Sequence, residues 1–455
     1  MANDRNTSAL ERRARSWFEF DVETPSDADS DAILTRTAAL ALAPSYAPGD
    51  TPPFAPSEWH TLRSDALRFV SALDTSRAER IADIAADLLT SAPLAPPLRF
   101  VDTLPEPHPP VSLIFSAWPH ATHELWPIMV DALVVNGAQA VHDTWLDDDN
   151  RVRKAIRYDV EADRLIEGEN ATPQHPKRSL LLLGRVDNER VWHQQLDESL
   201  RASGIEVLNP YRMALIADDK WATYERWRAA SVATPETRLI TRATIDTAEE
   251  SLRHIRQLGE CVVVKPRCGT AARNVTITTD IDEALDAVRS ILRDDDAIIQ
   301  PFQNDLRWSG ESDTAYPTVL RINVVRGECG TVRAESGYLH VAPTAEQLVA
   351  SVAQFGRGRS ICRNSLEIGG MPITESETLV FESIAEKAVR ALTDDATTCL
   401  VGVDIVAERD ATGVIRPYVI DANPRPAGLP HSRYLTPDWE LPGDPGVTRT
   451  LWSEV

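Results

Sequence analysis

Two apolar strands near the end of the chain constrain its fold more than any other feature. Gly402-Val403-Asp404-Ile405-Val406 and Val419-Ile420-Asp421-Ala422-Asn423-Pro424-Arg425-Pro426 are apolar enough to be buried, yet each carries polar groups where its apolar run ends. Side chains alternate along a strand, so Asp421 and Asn423, two residues apart, share one face. From a neighbouring strand Asp404 can reach the same spot. Polar groups at the end of an apolar strand pair are costly without a partner. Two carboxylates and an amide oxygen are hard ligands suited to Mg²⁺, an ion that keeps waters and takes further oxygens from phosphates. A hydrogen-bonded cap on the sheet is the structural alternative.

Three earlier segments add to this. The run Cys261-Val262-Val263-Val264-Lys265-Pro266 puts a lysine at the mouth of a strand. The loop after it, through Gly269, is small enough to bring backbone N–H groups to a phosphate, with Arg267 or Arg273 as further donors. Residues 297–302 form an extended segment whose backbone around Gln300 and Phe302 can meet an adenine edge, with Glu311 downstream for a ribose. In the strand 318–325, Arg321 faces the same way as Asn323, and its fork of donors matches phosphoryl oxygens. Each has a plainer reading: a solvated edge lysine, a buried strand entering a loop, a cross-strand salt bridge.

Charge narrows the partners. With 47 basic and 69 acidic side chains the net charge is −22, which counts against a nucleic-acid backbone but not against a nucleotide. No apolar run is long enough to span a bilayer, and the first residues lack the apolar core of a signal peptide. No membrane association is expected, and the cytoplasm is the natural setting. The five cysteines are scattered, which is neither a disulfide framework nor a zinc-site spacing.

A length of 455 residues suggests three domains, or two plus an extension. Residues 1–110 read as a helical extension (helical spacing over 62–89) with a proline-rich linker. Residues 111–235 alternate strand and helix, with strands at 111–115, 179–184 and 205–208 and helices at 124–136, 190–203 and 212–230. That is a doubly wound α/β pattern, interrupted by a polar surface excursion over 147–177. Residues 236–455 read as an α+β domain whose antiparallel sheets cover a ligand. Its strands fall at 261–265, 275–278, 297–302, 318–325, 332–340, 400–407 and 417–422, and its helices at 281–293 and 375–392.

Taken in order, these motifs resemble the ATP-grasp superfamily of carboxylate–amine ligases. The resemblance rests on Lys265 in its strand, Ile298-Ile299-Gln300-Pro301-Phe302, the Asp404 strand, and the run from Val419 to Gly428, which is similar to the family's E-x-N-x-R-x-x-G signature with Asp421 for glutamate. Asn209-Pro210, Ala217-Asp218-Asp219-Lys220 and Val232-Ala233-Thr234-Pro235 are similar to the family's lead-in, so about residues 111–435 are covered. It implies an ATP-grasp fold with a Rossmann-like pre-ATP domain before it. Lys220 and Lys265 would contact ATP phosphates, the backbone at Gln300–Phe302 adenine, and Glu311 the ribose. Asp404, Asp421 and Asn423 would hold two Mg²⁺ ions, with Mn²⁺ as a substitute. Arg321 and Arg425 would steady the γ-phosphate and an acyl phosphate.

The implied reaction activates a small-molecule carboxylate as an acyl phosphate, which an amine attacks, releasing ADP and phosphate. Amino acids or a short peptide in small-molecule biosynthesis would be the substrates. An ATP-grasp kinase or carboxylase, or a non-catalytic nucleotide-binding regulatory protein, are the alternatives. Three departures stand out: a single glycine at 269 in the phosphate loop, Val319 where some branches carry an acid, and the shorter Asp421. Arg357, Arg359, Arg363 and Asn364 form a basic loop that could clamp a substrate carboxylate or simply be solvated, and His431 is a weaker candidate. Oligomeric state stays open, a homodimer being the commonest soluble assembly.

Overall fold

The computed structural model describes residues 98–116, 125, 127–129, 131, 137–159, 164–182, 189–269, 272–310, 314–327, 329–351, 356–393, 397–426, 428–441, 443, 444 and 446–452. The helical module expected at 62–89 and the ribose candidate Glu311 lie outside the described residues. The chain divides into two compact units: one runs to Tyr211 and includes Ala427–His431, the other comprises Arg212–Pro426 and Ser432–Glu454. The first unit therefore ends before residue 235, where the change of texture in the sequence suggested a boundary.

The first unit is built on a seven-stranded mixed sheet of β1 (Leu98–Thr103), β2 (Val111–Phe115), β3 (Ala138–His142), β4 (Val152–Asp159), β5 (Arg164–Gln174), β6 (Arg178–Leu181) and β7 (Glu206–Leu208), in the order β1-β5-β4-β3-β2-β6-β7. β2 runs parallel to both β3 and β6, and β6 parallel to β7, which is the parallel core expected from the buried apolar runs. Helix α1 (Glu189–Ala202) lays Trp192, Leu196 and Leu200 against Ile114, Leu181 and Val207. β1 falls inside the stretch read as a linker and pairs in parallel with β5.

The excursion expected over 147–177 is instead a β-hairpin, β4 and β5, inside that sheet. Its polarity was misleading because its buried charged side chains find partners within the sheet. Buried Arg157 donates to Gln139 Oε1 at 3.0 Å and Asn170 Oδ1 at 2.6 Å, and Lys154 sits 2.5 Å from buried Glu167.

The second unit holds two sheets. The smaller comprises β8 (Arg238–Ile240), β9 (Val262–Pro266), β10 (Thr276–Thr278) and β11 (Ala297–Pro301), in the antiparallel order β10-β9-β11-β8. The larger has nine strands: β12 (Leu306–Ser309), β13 (Ala315–Arg326), β14 (Val332–Val341), β15 (Arg357–Ser360), β16 (Leu366–Ile368), β17 (Met371–Pro372), β18 (Leu400–Arg409), β19 (Ile415–Asn423) and β20 (Arg433–Tyr434). Long β13 pairs antiparallel with β14 along one edge and β18 along the other, and β19 follows β18. The basic segment expected as a loop is β15, paired with β14.

The expected helix over 212–230 is two helices, α2 (Tyr211–Ala217) and α3 (Lys220–Ala229). The break falls at Asp218-Asp219 because aspartate is a poor interior residue and a strong N-cap. Asp219 Oδ1 accepts from the amides of Trp221 and Ala222, both at 3.0 Å. The other helices are α4 (Ala248–Arg256), α5 (Ile281–Ile291) and α6 (Glu375–Leu392). α4 was not foreseen; with α5 it covers one face of the small sheet, Leu252, Ile255, Val288 and Ile291 packing on Val262, Val264, Ala297 and Ile299.

Helix α6 starts at a Thr374/Glu377 capping box and covers the large sheet. It buries Thr378, Phe381, Ala385, Ala388, Val389 and Leu392 at three- and four-residue spacing. Phe381 is fully buried and stacks on Trp439, with ring centroids 6.1 Å apart. Phe381→Ala is expected to lower stability by about 3–5 kcal/mol, read as a shift in the urea midpoint at unchanged slope.

Candidate functional site

A cleft in the second unit is lined by both of its sheets. β9 faces it with Val263 and Lys265, while the alternating Val262 and Val264 point into the helix-covered core. β13 contributes Val319 and Arg321, β18 contributes Asp404 and Val406, and β19 contributes Ile420 to Asn423. Lys220, at the first turn of α3, reaches the same space.

Asp404 and Asp421 stand directly opposite each other in the β18–β19 register, and Asn423 lies opposite Gly402. The register slips just beyond this pair, from Asp404–Asp421 to Ile405–Val419, so Ile420 is an extra residue that bulges the strand. Like charges facing each other across a ladder repel, so cations must gather around them. Arg321 supplies the first through two parallel bonds to Asp404, Nε to Oδ1 at 2.6 Å and Nη2 to Oδ2 at 2.7 Å. Its Nη1 donates to the Tyr338 hydroxyl at 3.2 Å. Burial works against the guanidinium charge, but Asp404 outweighs it and holds the group above its ordinary range. Arg321 lies across Gly402, where a Cβ would stand 3.2 Å from Arg321 Cδ and 3.0 Å from Pro426 Cβ. The cross-strand salt bridge weighed as the plainer reading of Arg321 is thus present, inside the cleft.

Two lysines complete the set. Lys220 Nζ lies 2.5 Å from the Gly269 carbonyl and 3.6 Å from Asp421 Oδ2. Buried Lys265 donates to the Ile420 carbonyl at 3.2 Å, on the bulge. Burial lowers the Lys265 pKa to about 8, with Lys220 adding to the fall and Asp421 opposing it. The folded value lies below the unfolded one, so the buried charge costs stability at neutral pH. That cost fades as pH rises from about 8 to about 10.4, where the unfolded lysine also deprotonates. Lys265→Met is therefore expected to raise the melting temperature at pH 7 and to lose that advantage by about pH 10, in parallel thermal melts.

Asp404, Asp421 and Asn423 offer hard oxygen donors of the kind Mg²⁺ takes, with both Asp404 oxygens also accepting from Arg321. Asn423 Nδ2 points to the Gly402 carbonyl (3.3 Å) and Asp404 Oδ2 (3.4 Å), which orients Oδ1 as the amide atom left to bind a metal. No group of three or more His, Cys, Asp and Glu placed to hold a metal occurs among the described residues. An ion at Asp404, Asp421 and Asn423 would complete its shell with water and phosphate oxygens, as Mg²⁺ commonly does.

The register also defines the backbone edge at the end of β11. Gln300 is buried, and its Nε2 donates to Thr237 Oγ1 at 2.8 Å, so its side chain is structural. The Phe302 amide donates to the Cys261 carbonyl at 2.9 Å, toward β9. Backbone groups alternate sides along a strand, so the Pro301 carbonyl points the other way. On that side pairing with β8 stops at Ile299. Gln303, not singled out in the sequence, lines the cleft with Pro301 and Phe302.

Other candidates have structural employment. Arg425 is buried and paired with Asp218 at 2.8 Å, and it is not among the residues lining the cleft. Arg267 is likewise held away from the cleft, by Asp219 and Asp296, whereas Arg273 lines it. Arg363 is spent on the Asp438 carbonyl and Glu440, and Asn364 on the Glu440 carbonyl. Arg359 lies over Trp308 and Arg357 over Tyr316. His431 is buried in a short 3-10 turn.

Among solved structures the chain is similar to D-alanyl-alanine synthetase A from Vibrio cholerae (TM-score 0.44, 12% identity, 72% of this chain and 89% of that one). It is also similar to the D-alanine-D-alanine ligase from Coxiella burnetii (TM-score 0.43, 11% identity, 70% and 86% covered) and to the D-cycloserine synthetase DcsG (TM-score 0.41, 14% identity, 69% and 91% covered). No family model matches the sequence, and no curated protein does. No helix of the described residues is long and apolar enough to cross a membrane.

Proposed function

We propose that the protein is an ATP-grasp enzyme: an ATP-dependent, ADP-forming ligase that joins a small-molecule carboxylate to an amine. The observation that carries this reading is the facing pair Asp404–Asp421, set among Lys220, Lys265 and Arg321 in one cleft between two sheets. A surplus of fixed positive groups around two carboxylates suits a polyphosphate with its metal, and an apolar wall including Val263, Ile277 and Val406 suits a purine.

Nucleotide binding would use the Pro301 carbonyl for adenine, with Lys220 and Lys265 on the phosphates. Asp404, Asp421 and Asn423 would hold Mg²⁺, which when bound neutralises phosphate charge and supplies Lewis acidity. The substrate carboxylate oxygen attacks the γ-phosphorus, the bond to the β-phosphate oxygen breaks, and ADP leaves. The amine then attacks the acyl carbon, phosphate departs, and the nitrogen loses a proton. Arg321 would stabilise charge on the moving phosphoryl group from its fixed seat beside Asp404. No protein nucleophile is needed. Amino acids or a short peptide are the proposed substrates, and a cytoplasmic setting is consistent with five free cysteines.

The test is ADP and phosphate release from Mg²⁺·ATP across pooled amino acids, dipeptides and small carboxylates, with mass spectrometry on every positive pool. Release requiring both a carboxylate and an amine, with a product one water lighter than their sum, supports the ligase. A phosphorylated alcohol would move the reading to a kinase, and ATP binding without turnover in every pool would favour a regulatory role.

A further inference from the structure

Beside the lysine at the start of α3, an arginine ties the helix cap to two other segments. Asp219 caps α3, and Lys220 follows it. Arg267, two residues beyond Lys265, grips the Asp219 carboxylate with two bonds, Nε to Oδ1 at 2.9 Å and Nη2 to Oδ2 at 2.7 Å. Its Nη1 reaches Asp296 Oδ2 at 3.1 Å, one residue before β11. The backbones are joined as well: the Lys220 amide donates to the Arg267 carbonyl at 3.0 Å, and the Arg267 amide to the Asp296 carbonyl at 2.8 Å. Asp219 is held below the ordinary carboxylate range: burial opposes this, but bonds from Arg267 and the capped amides outweigh it.

These bonds zip three segments distant in sequence into one corner of the cleft, with Lys220 Nζ at its tip between the Gly269 carbonyl and Asp421. We infer that Arg267 is a positioning residue for the phosphates: it touches no nucleotide, and it fixes the Lys220 ammonium by locking the α3 cap to the loop after β9. This rests on the nucleotide reading above. A flexible lysine placed by two carboxylates and one guanidinium is pre-organised for a charged ligand, and the ordering cost is met before binding.

The experiment is calorimetric titration of Mg²⁺·ATP, and separately of adenosine, into the full chain as wild type, Arg267→Ala, Lys220→Ala and the double variant. Loss of a well-placed charge-assisted contact weakens binding by about ten-fold or more. Arg267→Ala is expected to weaken Mg²⁺·ATP by that factor and to leave adenosine unchanged. The double variant should bind no more weakly than Lys220→Ala, because the clamp acts through the lysine. Unchanged Mg²⁺·ATP binding, additive losses, or an equal loss for adenosine would each overturn the clamp. If Arg267→Ala does not fold, Asp219→Asn carries the same test, since it keeps a capping oxygen and loses the charge that Arg267 grips. Absence of Mg²⁺·ATP binding by the wild type would instead remove the nucleotide reading, and the clamp with it.

Discussion

Asp421→Ala is expected to lower Mg²⁺-dependent ATP turnover on the order of 10³-fold while leaving the fold in place. The loss corresponds to about 4 kcal/mol of transition-state stabilisation, the size attached to a metal contact or a fixed electrostatic donor at a moving phosphoryl group. The fold should tolerate the change because Asp421 is partly exposed, its side-chain ion-pair partner Lys220 is 3.6 Å away, and its removal relieves repulsion with Asp404. Stability should move by no more than about 1 kcal/mol. Steady-state ADP release with a parallel thermal melt checks both halves. Full turnover in this variant would remove Asp421 from the metal site.

Arg321→Ala should cost both stability and rate. Truncating one partner of a buried ion pair leaves Asp404 charged and unpaired, a loss of about 3–5 kcal/mol. The chemical step should slow more than ATP affinity falls, because the charge that Arg321 meets develops in the transition state. A double variant separates the two effects. Arg321→Met with Asp404→Leu replaces the pair by apolar groups of similar volume, which is commonly neutral for stability. Urea unfolding should show stability near wild type in that variant, and single-turnover measurements should show no chemistry. Wild-type turnover in Arg321→Ala would return the pair to a purely structural role.

The candidate site was legible where chemistry coincides with strand pattern. Lys265 stands out because a lysine ends an apolar run, and Asp421 and Asn423 because their spacing of two puts them on one face. Arg425 has a pairing that is invisible in one dimension: its side chain finds Asp218, 207 residues away. Gln303 was not singled out because its place in the cleft lining beside Pro301 and Phe302 depends on where distant segments meet. The Asp218-Asp219 break was available as a helix-stop signal, since two aspartates are poor interior residues and one of them is a good cap. The polar hairpin β4–β5 was not available, because burial of Arg157 and Glu167 is tolerable only with partners supplied from other strands.

Composition, apolar periodicity and the placement of polar residues at strand ends determined that this chain builds layered α/β and α+β sheets. They also marked Lys265, Asp404, Asp421 and Asn423 as the candidate residues, because these are local properties: a two-residue period and the cost of a buried charge. Only the tertiary structure decided how those residues meet. The facing of Asp404 and Asp421, the bulge at Ile420, the seat of Arg321 over Gly402 and the grip of Arg267 on Asp219 all depend on strand register and on contacts between distant segments. Register is set by the packing of whole faces, and no single segment carries that information.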